Sequence, residues 1–303
     1  MKELVVISGK GGTGKTSVVA SFATLAQNKV LADCDVDAAD LHLILQPDIE
    51  QRHPFTAGRQ ALIRQDDCIR CGGCLAHCRF RAVRKNGQHA GQATLTIDPI
   101  ACEGCGVCVQ MCPLNAIDFP ETHCGHWFIS STRHGQLVHA QLAIAAENSG
   151  KLVTIVRQQA AQLARQQNLD LVIIDGAPGI GCPVIACLTG ASLALIVTEP
   201  TVSGLHDLER VAQLAKQIRV PTAVCINKHD INPDLTARIQ QTCNTQGIPV
   251  VGAIDYDPVV THAQTAGQSV VEHSHNGIAT QLRTLWQNTN QLLHQPRTAD
   301  IHT

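Results

Sequence analysis

The sequence carries little charge. Asp, Glu, Lys and Arg make up only 16% of its 303 residues, below the usual quarter, which argues against extended disorder. Neither sign dominates. With 23 Lys and Arg against 25 Asp and Glu, the formal net charge is -2, so no basic field marks a nucleic-acid surface and no polyanionic partner is expected. No apolar run is long enough to cross a bilayer: stretches such as Leu193–Thr198 are strand-length, and membrane insertion is not expected. Met1–Ser8 leads straight into glycines, with neither a basic head nor a small-residue cleavage site, so it does not read as a secretion signal. The expected location is the cytoplasm, where clustered cysteines are metal ligands before they are disulfides. Hydrophobic residues reach 44%, enough for an ordinary core, and the length suits about two domains.

What the sequence does have is cysteine. There are 14, and eight fall between Cys68 and Cys112. Cys68, Cys71, Cys74 and Cys78 recur 34 residues later as Cys102, Cys105, Cys108 and Cys112, and the flanking Ala82-Val83 recurs as Ala116-Ile117. Two copies of one small unit therefore lie within residues 61–121.

The flanks have a different texture. Leu4–Ser8, Val30–Asp33, Leu171–Asp175, Leu193–Thr198, Ala223–Asn227 and Val250–Ile254 are short apolar runs rich in Val and Ile. Between them lie stretches with helical spacing, such as Leu205, Leu208, Val211, Ala212 and Ala215. This alternation predicts an α/β fold with a parallel sheet covered on both faces. A further run, Leu152–Val156, reads as a strand after the polar turn 147–152. Residues 278–293 place Ile278, Leu282, Leu285, Trp286, Thr289 and Leu293 on one stripe, which predicts a final helix packed on the sheet. Residues 296–303 read as a loose tail.

The first apolar run ends in Gly9-Lys10-Gly11-Gly12-Thr13-Gly14-Lys15-Thr16, which fits the phosphate-loop pattern between a strand and a helix. Glycines allow the backbone N–H groups to wrap phosphates, and the helix start adds its positive dipole end. Lys15 is expected to bridge β- and γ-phosphate oxygens, and the Thr16 hydroxyl to hold Mg2+. Gly9, Gly11, Gly12, Thr13, Gly14 and Ser17 complete the expected phosphate contacts.

The second lysine, Lys10, makes a more specific match. The loop resembles the deviant phosphate loop of the MinD/ParA group of ATPases, which includes the nitrogenase iron protein. The resemblance implies a nucleotide-sandwich dimer, formed with itself or with a related ATPase, in which Lys10 reaches the partner's nucleotide. Leu31–Asp37 resembles the first switch of that family, where either Asp33 or Asp35 positions the attacking water and Mg2+; Asp37 reads as a solvated acid. Leu171–Asp175 with Gly176-Ala177-Pro178-Gly179 resembles the Walker B strand and second switch, with Asp175 holding Mg2+ through water. Thr198-Glu199-Pro200 and Asp207 resemble a supporting stretch. Asn227-Lys228-His229-Asp230 has the form of a guanine signature, yet the equivalent Asn reads adenine in the MinD group. ATP is the expected nucleotide, with Asn227 and Asp230 at the base.

The two cysteine runs match the bacterial ferredoxin spacing, in which three thiolates come from one repeat and the fourth from the other. By that rule Cys68, Cys71, Cys74 and Cys112 hold one [4Fe–4S] cluster, and Cys102, Cys105, Cys108 and Cys78 hold a second. Zinc sites pair short hairpins and do not repeat this pattern twice. Gly72, Gly73, Gly104 and Gly106 leave backbone N–H groups free for cluster sulfur. Arg79 stands where the second repeat has Pro113; it is either a charge that raises a cluster potential or a plain surface residue. Cys34 and Cys225 read as core. Cys182 lies seven residues after Asp175, the offset of an intersubunit cluster ligand in the nitrogenase iron protein, and such a site would need Cys124 or Cys187 as well. His273 and His275 lack the carboxylate pair a metal site would want.

The chain as a whole resembles MinD-superfamily ATPases with an inserted two-cluster ferredoxin. Residues 1–60 and 122–295 are expected to form the ATPase domain, and 61–121 a small α+β insert. The implied activity is ATP hydrolysis on a dimer coupled to electron transfer, with a redox partner protein. Two alternatives stand beside it: an ATPase for iron–sulfur cluster or metal-centre assembly, and a non-enzymatic redox or sensor module with a regulatory nucleotide.

Overall fold

The computed structural model of the chain describes residues 1–89, 92–143 and 149–295. Glu147, Asn148 and the tail 296–303 lie outside the described residues. The chain divides into two compact units, one of Met1–His53, Trp127–Gln141 and Ser149–Thr303, the other of Pro54–His126 and Leu142–Asn148. The second unit begins and ends several residues outside the expected 61–121. The reason is local: strands Asp48–Arg59 and Glu121–Thr132 run without interruption across both divisions, so no loop composition marks them.

The first unit is built on a nine-stranded sheet. Its order is Val250–Ile254, Thr222–Asn227, Leu193–Thr198, Lys2–Ser8, Leu171–Pro178, Lys29–Asp33, Gly135–Leu142, Glu121–Thr132 and Asp48–Arg59. The first seven strands pair in parallel through six neighbouring pairs, as expected for α/β alternation. Every residue of Leu193–Thr198 is buried, the pattern of a strand covered on both faces. The three further strands were not legible as strands. Asp48–Arg59 contains Pro54 and is almost wholly exposed before Phe55, which suits a sheet edge and gives no apolar alternation.

Residues 152–156 are helical, in contrast to the expected strand. They open the helix Ser149–Gln166, which buries Leu152, Val153, Val156, Ala160, Ala161 and Ala164. The β-branched start is outweighed by that three-and-four spacing and by the helix-favouring Arg157–Gln166 that follows. The last helix forms as expected, over Ile278–His294, and the Trp286 ring lies 5.0 Å from that of Phe22.

A charged staple pins the turn at residues 133–134. Arg133 Nε donates to Glu272 Oε1 at 2.7 Å, and its terminal nitrogens donate to Leu45, Ile44 and Gly267 carbonyls. Glu272 also caps its own helix through the Ser269 N–H. Burial opposes the Glu272 charge, but Arg133 and Ser269 reverse that and hold its carboxyl at about 2, from 4.5. A depressed carboxyl stabilises the fold above its unfolded pKa and loses that contribution as pH falls toward 2. Glu272→Gln is therefore expected to lower stability by about 1.5–3 kcal/mol at neutral pH. The gap to the wild type should shrink steadily below pH 4.5 in urea titrations.

The second unit is small and nearly symmetric. Leu62–Ile63 pairs antiparallel with Ile117–Asp118, and Val83–His89 with Gln92–Ile97. Short helices cover Gly73–His77 and Val107–Gln110. Left-handed backbone recurs at the 34-residue offset: Arg70 and Gly104 (φ 60° each), Gly72 and Gly106 (79° and 73°), Arg81 and Asn115 (54° and 50°). The repeat seen in the cysteines is thus also a repeat of conformation. The core is thin, with Ala61, Cys74, Val83, Leu95 and Ile117 buried together and Cys78, Cys102, Cys108 and Cys112 packed against them.

Candidate functional site

Strand Lys2–Ser8 sits mid-sheet and delivers the glycine loop to the start of helix Lys15–Leu25. Gly14 occupies the N-cap with φ 89° and no side-chain cap, so the first amides of the helix have no capping side-chain partner. A Cβ on Gly14 would run into Asn227 Nδ2. That contact exists because Asn227 Nδ2 donates to the Thr13 carbonyl at 2.7 Å, tying the loop to the end of strand Thr222–Asn227.

Lys15 is the electrostatic centre. Its Nζ donates to Asp175 Oδ1 at 2.5 Å and stands 3.3 Å from Asp35 Oδ2, with the side chain 6% exposed. Burial alone would depress the ammonium, but Asp175 and Asp35 overcome it and hold Lys15 well above the ordinary lysine value. Asp33 pairs in register with Asp175 on the neighbouring strand. Burial, reinforced by Asp175, raises the Asp33 carboxyl well above its usual range. Three carboxylates thus face one ammonium, and Asp33 Oδ2, Asp175 Oδ2 and Thr13 Oγ1 are buried without hydrogen-bond partners. Excess negative charge with unpartnered oxygens suits a divalent cation beside phosphates. The two switch candidates separate as well. Asp33 Oδ1 is used by the Asp35 N–H at 3.1 Å, whereas the Asp35 side chain retains 13% exposure. Asp37 is exposed, as expected.

Lys10 lies away from Lys15. Its Nζ pairs with Glu199 Oε1 at 2.6 Å and donates to Ser203 Oγ at 3.0 Å. Glu199 Oε2 also meets Lys228 Nζ at 3.3 Å, and Lys228 Nζ lies 3.4 Å from the Gly12 carbonyl. Burial opposes the Glu199 charge, yet the two lysines hold its carboxyl below the usual value. This Lys10–Glu199–Lys228 arrangement was not legible in the sequence. Its signal is the adjacency of strands Lys2–Ser8 and Leu193–Thr198, which only the sheet order reveals.

Beside the loop lies a cavity of ≈ 210 Å³, lined among others by Gly14, Ser17, Asn227, Asp255, Tyr256 and Leu282. Its position suits a nucleobase. Asp230 does not line it; its Oδ1 accepts the Tyr256 N–H at 2.7 Å. Thr16 is half-buried at the helix start.

Within the second unit the eight cysteines of the repeats line two separate hollows. Cys68, Cys71, Cys74 and Cys112 line one. Cys78, Cys102, Cys105 and Cys108 line the other. Among the described residues no three His, Cys, Asp or Glu side chains converge on the position of a single metal ion. Ligands of a cubane each take a different iron and stand further apart than ligands of one ion. Cys182 is exposed, but both candidate companions are buried: Cys124 donates to the Ala57 carbonyl at 3.1 Å, and Cys187 is 0% exposed. Among the described residues, neither of these companions presents an exposed thiol. Cys34 and Cys225 are core, and burial pushes the Cys225 thiol up to about 12.

The sequence profile of the CobQ/CobB/MinD/ParA nucleotide binding domain matches residues 4–270. The chain belongs to this family. An uncharacterised protein of Methanocaldococcus jannaschii is 33% identical over 234 residues, 76% of this chain and 79% of that one. The septum site-determining protein MinD of Pyrococcus horikoshii, solved with Mg-ADP, has the same fold, with a TM-score of 0.56 at 15% identity over 97% of each chain. A ferredoxin-type protein, NapF, of Haemophilus influenzae is 45% identical over 49 residues, 16% of this chain and 28% of that one. As a MinD/ParA-family protein the chain is a nucleotide-binding ATPase. No described helix is long and apolar enough to cross a membrane.

Proposed function

We propose that this MinD/ParA-family ATPase is an iron–sulfur protein in which ATP binding and hydrolysis on a dimer are coupled to electron transfer through two [4Fe–4S] clusters. The observation that carries the reading is the sorting of the cysteines. Each hollow takes three from one repeat and one from the other, which is the ferredoxin pattern. The thin core adds support. So few buried apolar groups rarely stabilise a unit of this size without staples, and the cysteines are free thiols rather than disulfides. When bound, the clusters would supply one-electron redox chemistry.

On the ATPase side, ATP with Mg2+ would be held by the Gly9–Thr16 loop, with Thr16 and Asp175 toward the metal and Asn227 toward the base. Asp35 is the better placed of the two switch acids to orient water, being the more accessible. Lys15 must exchange Asp175 for phosphate oxygens, and that exchange frees the Walker B carboxylate. Lys10 must leave Glu199 to act in a partner's site. Both exchanges give nucleotide state a structural output in switches joined by chain to the second unit.

The test is an anaerobic redox titration with EPR, preceded by iron and sulfide analysis, on one preparation without nucleotide, with ADP and with ATP plus Mg2+. The expected result is a nucleotide-dependent shift of tens of millivolts, where about 59 mV is about 1.36 kcal/mol for one electron. An unchanged potential would remove direct coupling, and absent iron would remove the reading altogether.

A further inference from the structure

The two repeats of the second unit share a backbone but not a charge. Residues 68–85 carry Arg70, Arg79, Arg81, Arg84 and Lys85 with no acid; the equivalent residues 102–119 carry Glu103 and Asp118 with no base. Arg84 is spoken for by Asp98 at 2.7 Å. Arg79, Arg81 and Lys85 are exposed and ion-pair with no described carboxylate. Arg79 lies over the Phe80 ring, 5.0 Å from its centroid, and Phe80 lines the hollow of Cys78, Cys102, Cys105 and Cys108.

Arg81 stands out further. It takes φ 54°, where the other repeat places Asn115 at 50°. Asn adopts left-handed backbone more readily than a long side chain does, although Gln46, Arg70, Arg219 and Lys228 take it in this chain as well. Nothing inside the unit explains an arginine there: its N–H reaches the Cys78 carbonyl at 3.2 Å, as Asn115 N–H reaches that of Cys112. An exposed arginine that pairs with no described carboxylate is available to an external one.

We infer that Arg79, Arg81 and Lys85 form the docking surface for an acidic electron-carrier protein, received beside the hollow that contains the exposed Cys105. The inference rests on the proposed redox function. Charge complementarity selects this occupant. The three bases lie within seven residues of one repeat, and elsewhere in residues 54–126 acids outnumber bases, so an extended polyanion would meet repulsion beyond them that a compact acidic protein would avoid. Small, electrostatically steered contacts are also the habit of redox encounters.

The experiment uses the full chain, with iron measured on every sample, and acidic flavodoxin as the probe. Affinity is measured by calorimetry at about 20 mM and about 200 mM salt. The R79E/R81E/K85E variant is expected to bind at least about tenfold more weakly than wild type. R165E/K216E/R238E, with the same change in net charge on exposed residues of the first unit, should stay within about twofold of wild type. Arg81→Asn, copying the other repeat, should relieve strain and keep or raise the melting temperature while weakening binding. Equal affinity for the two triple variants, no flavodoxin binding by wild type, or tighter patch-dependent binding of duplex DNA or phosphatidylglycerol vesicles would overturn the surface. Charge-dependent binding by iron-free protein would support the surface and sink the redox reading, whereas iron-replete protein with charge-independent binding would do the reverse.

Discussion

Lys15→Ala is expected to reduce ATP hydrolysis by about 10²–10³-fold or more, the order seen when one donor to developing charge is removed. The same substitution should destabilise the nucleotide-free protein. Among the described residues Lys15 is the only cation paired with the Asp35 and Asp175 carboxylates, in a site where its side chain is 6% exposed, and stripping one partner from such a group costs on the order of 3–5 kcal/mol. Mg2+ should restore part of that loss, because the carboxylates left behind suit a divalent ion. Lys15→Arg separates the effects by keeping charge while changing shape; it should preserve more stability than activity. Steady-state hydrolysis and thermal melts with and without Mg2+ check both. On the proposed iron–sulfur reading, visible absorbance from the second unit should be unaffected, and its loss would mean that the two units do not fold independently.

On the proposed two-cluster reading, Cys112→Ser is expected to remove one cluster, taking iron from about eight to about four per chain. Cys112 belongs to the second repeat by sequence but lines the hollow of Cys68, Cys71 and Cys74. Its residual EPR spectrum should therefore match that of Cys68→Ser and differ from that of Cys102→Ser. Cys78→Ser should in turn match Cys102→Ser. Grouping by repeat instead of by hollow would show that ligation is not crossed. Complete loss of iron in every variant would show that the clusters fold the unit together.

Much of this was legible in order of appearance. The phosphate loop, the buried Val- and Ile-rich strands and the cysteine spacing are local patterns, and local patterns survive folding. What was not legible depends on neighbours far apart in the chain. Glu199 holds Lys10 because strands Lys2–Ser8 and Leu193–Thr198 are adjacent, and no local pattern announces that. Asp230 has the spacing of a base reader, yet the loop at Tyr256 takes its carboxylate. Leu152–Val156 has strand composition and helix surroundings, and the longer period prevailed. The edge strand Asp48–Arg59 shows no alternation before Phe55 because that half is exposed on both faces, apart from the partly buried His53.

The sheet order has a kinetic consequence. Strand Lys2–Ser8 finds its register partner at Leu171–Pro178 and Lys29–Asp33 pairs with the same strand, so the central pairings close loops of well over a hundred residues. Such long-range pairing is slow, since loop closure must precede any reward from contact. During synthesis the cysteine-rich stretch emerges while the first two strands still wait for their common neighbour. An insert that compacts on its own would shorten the effective loop and bring the strand ends closer. Early maturation of residues 54–126 would then accelerate assembly of the ATPase sheet, and the order of events on the ribosome would matter as much as the final stability.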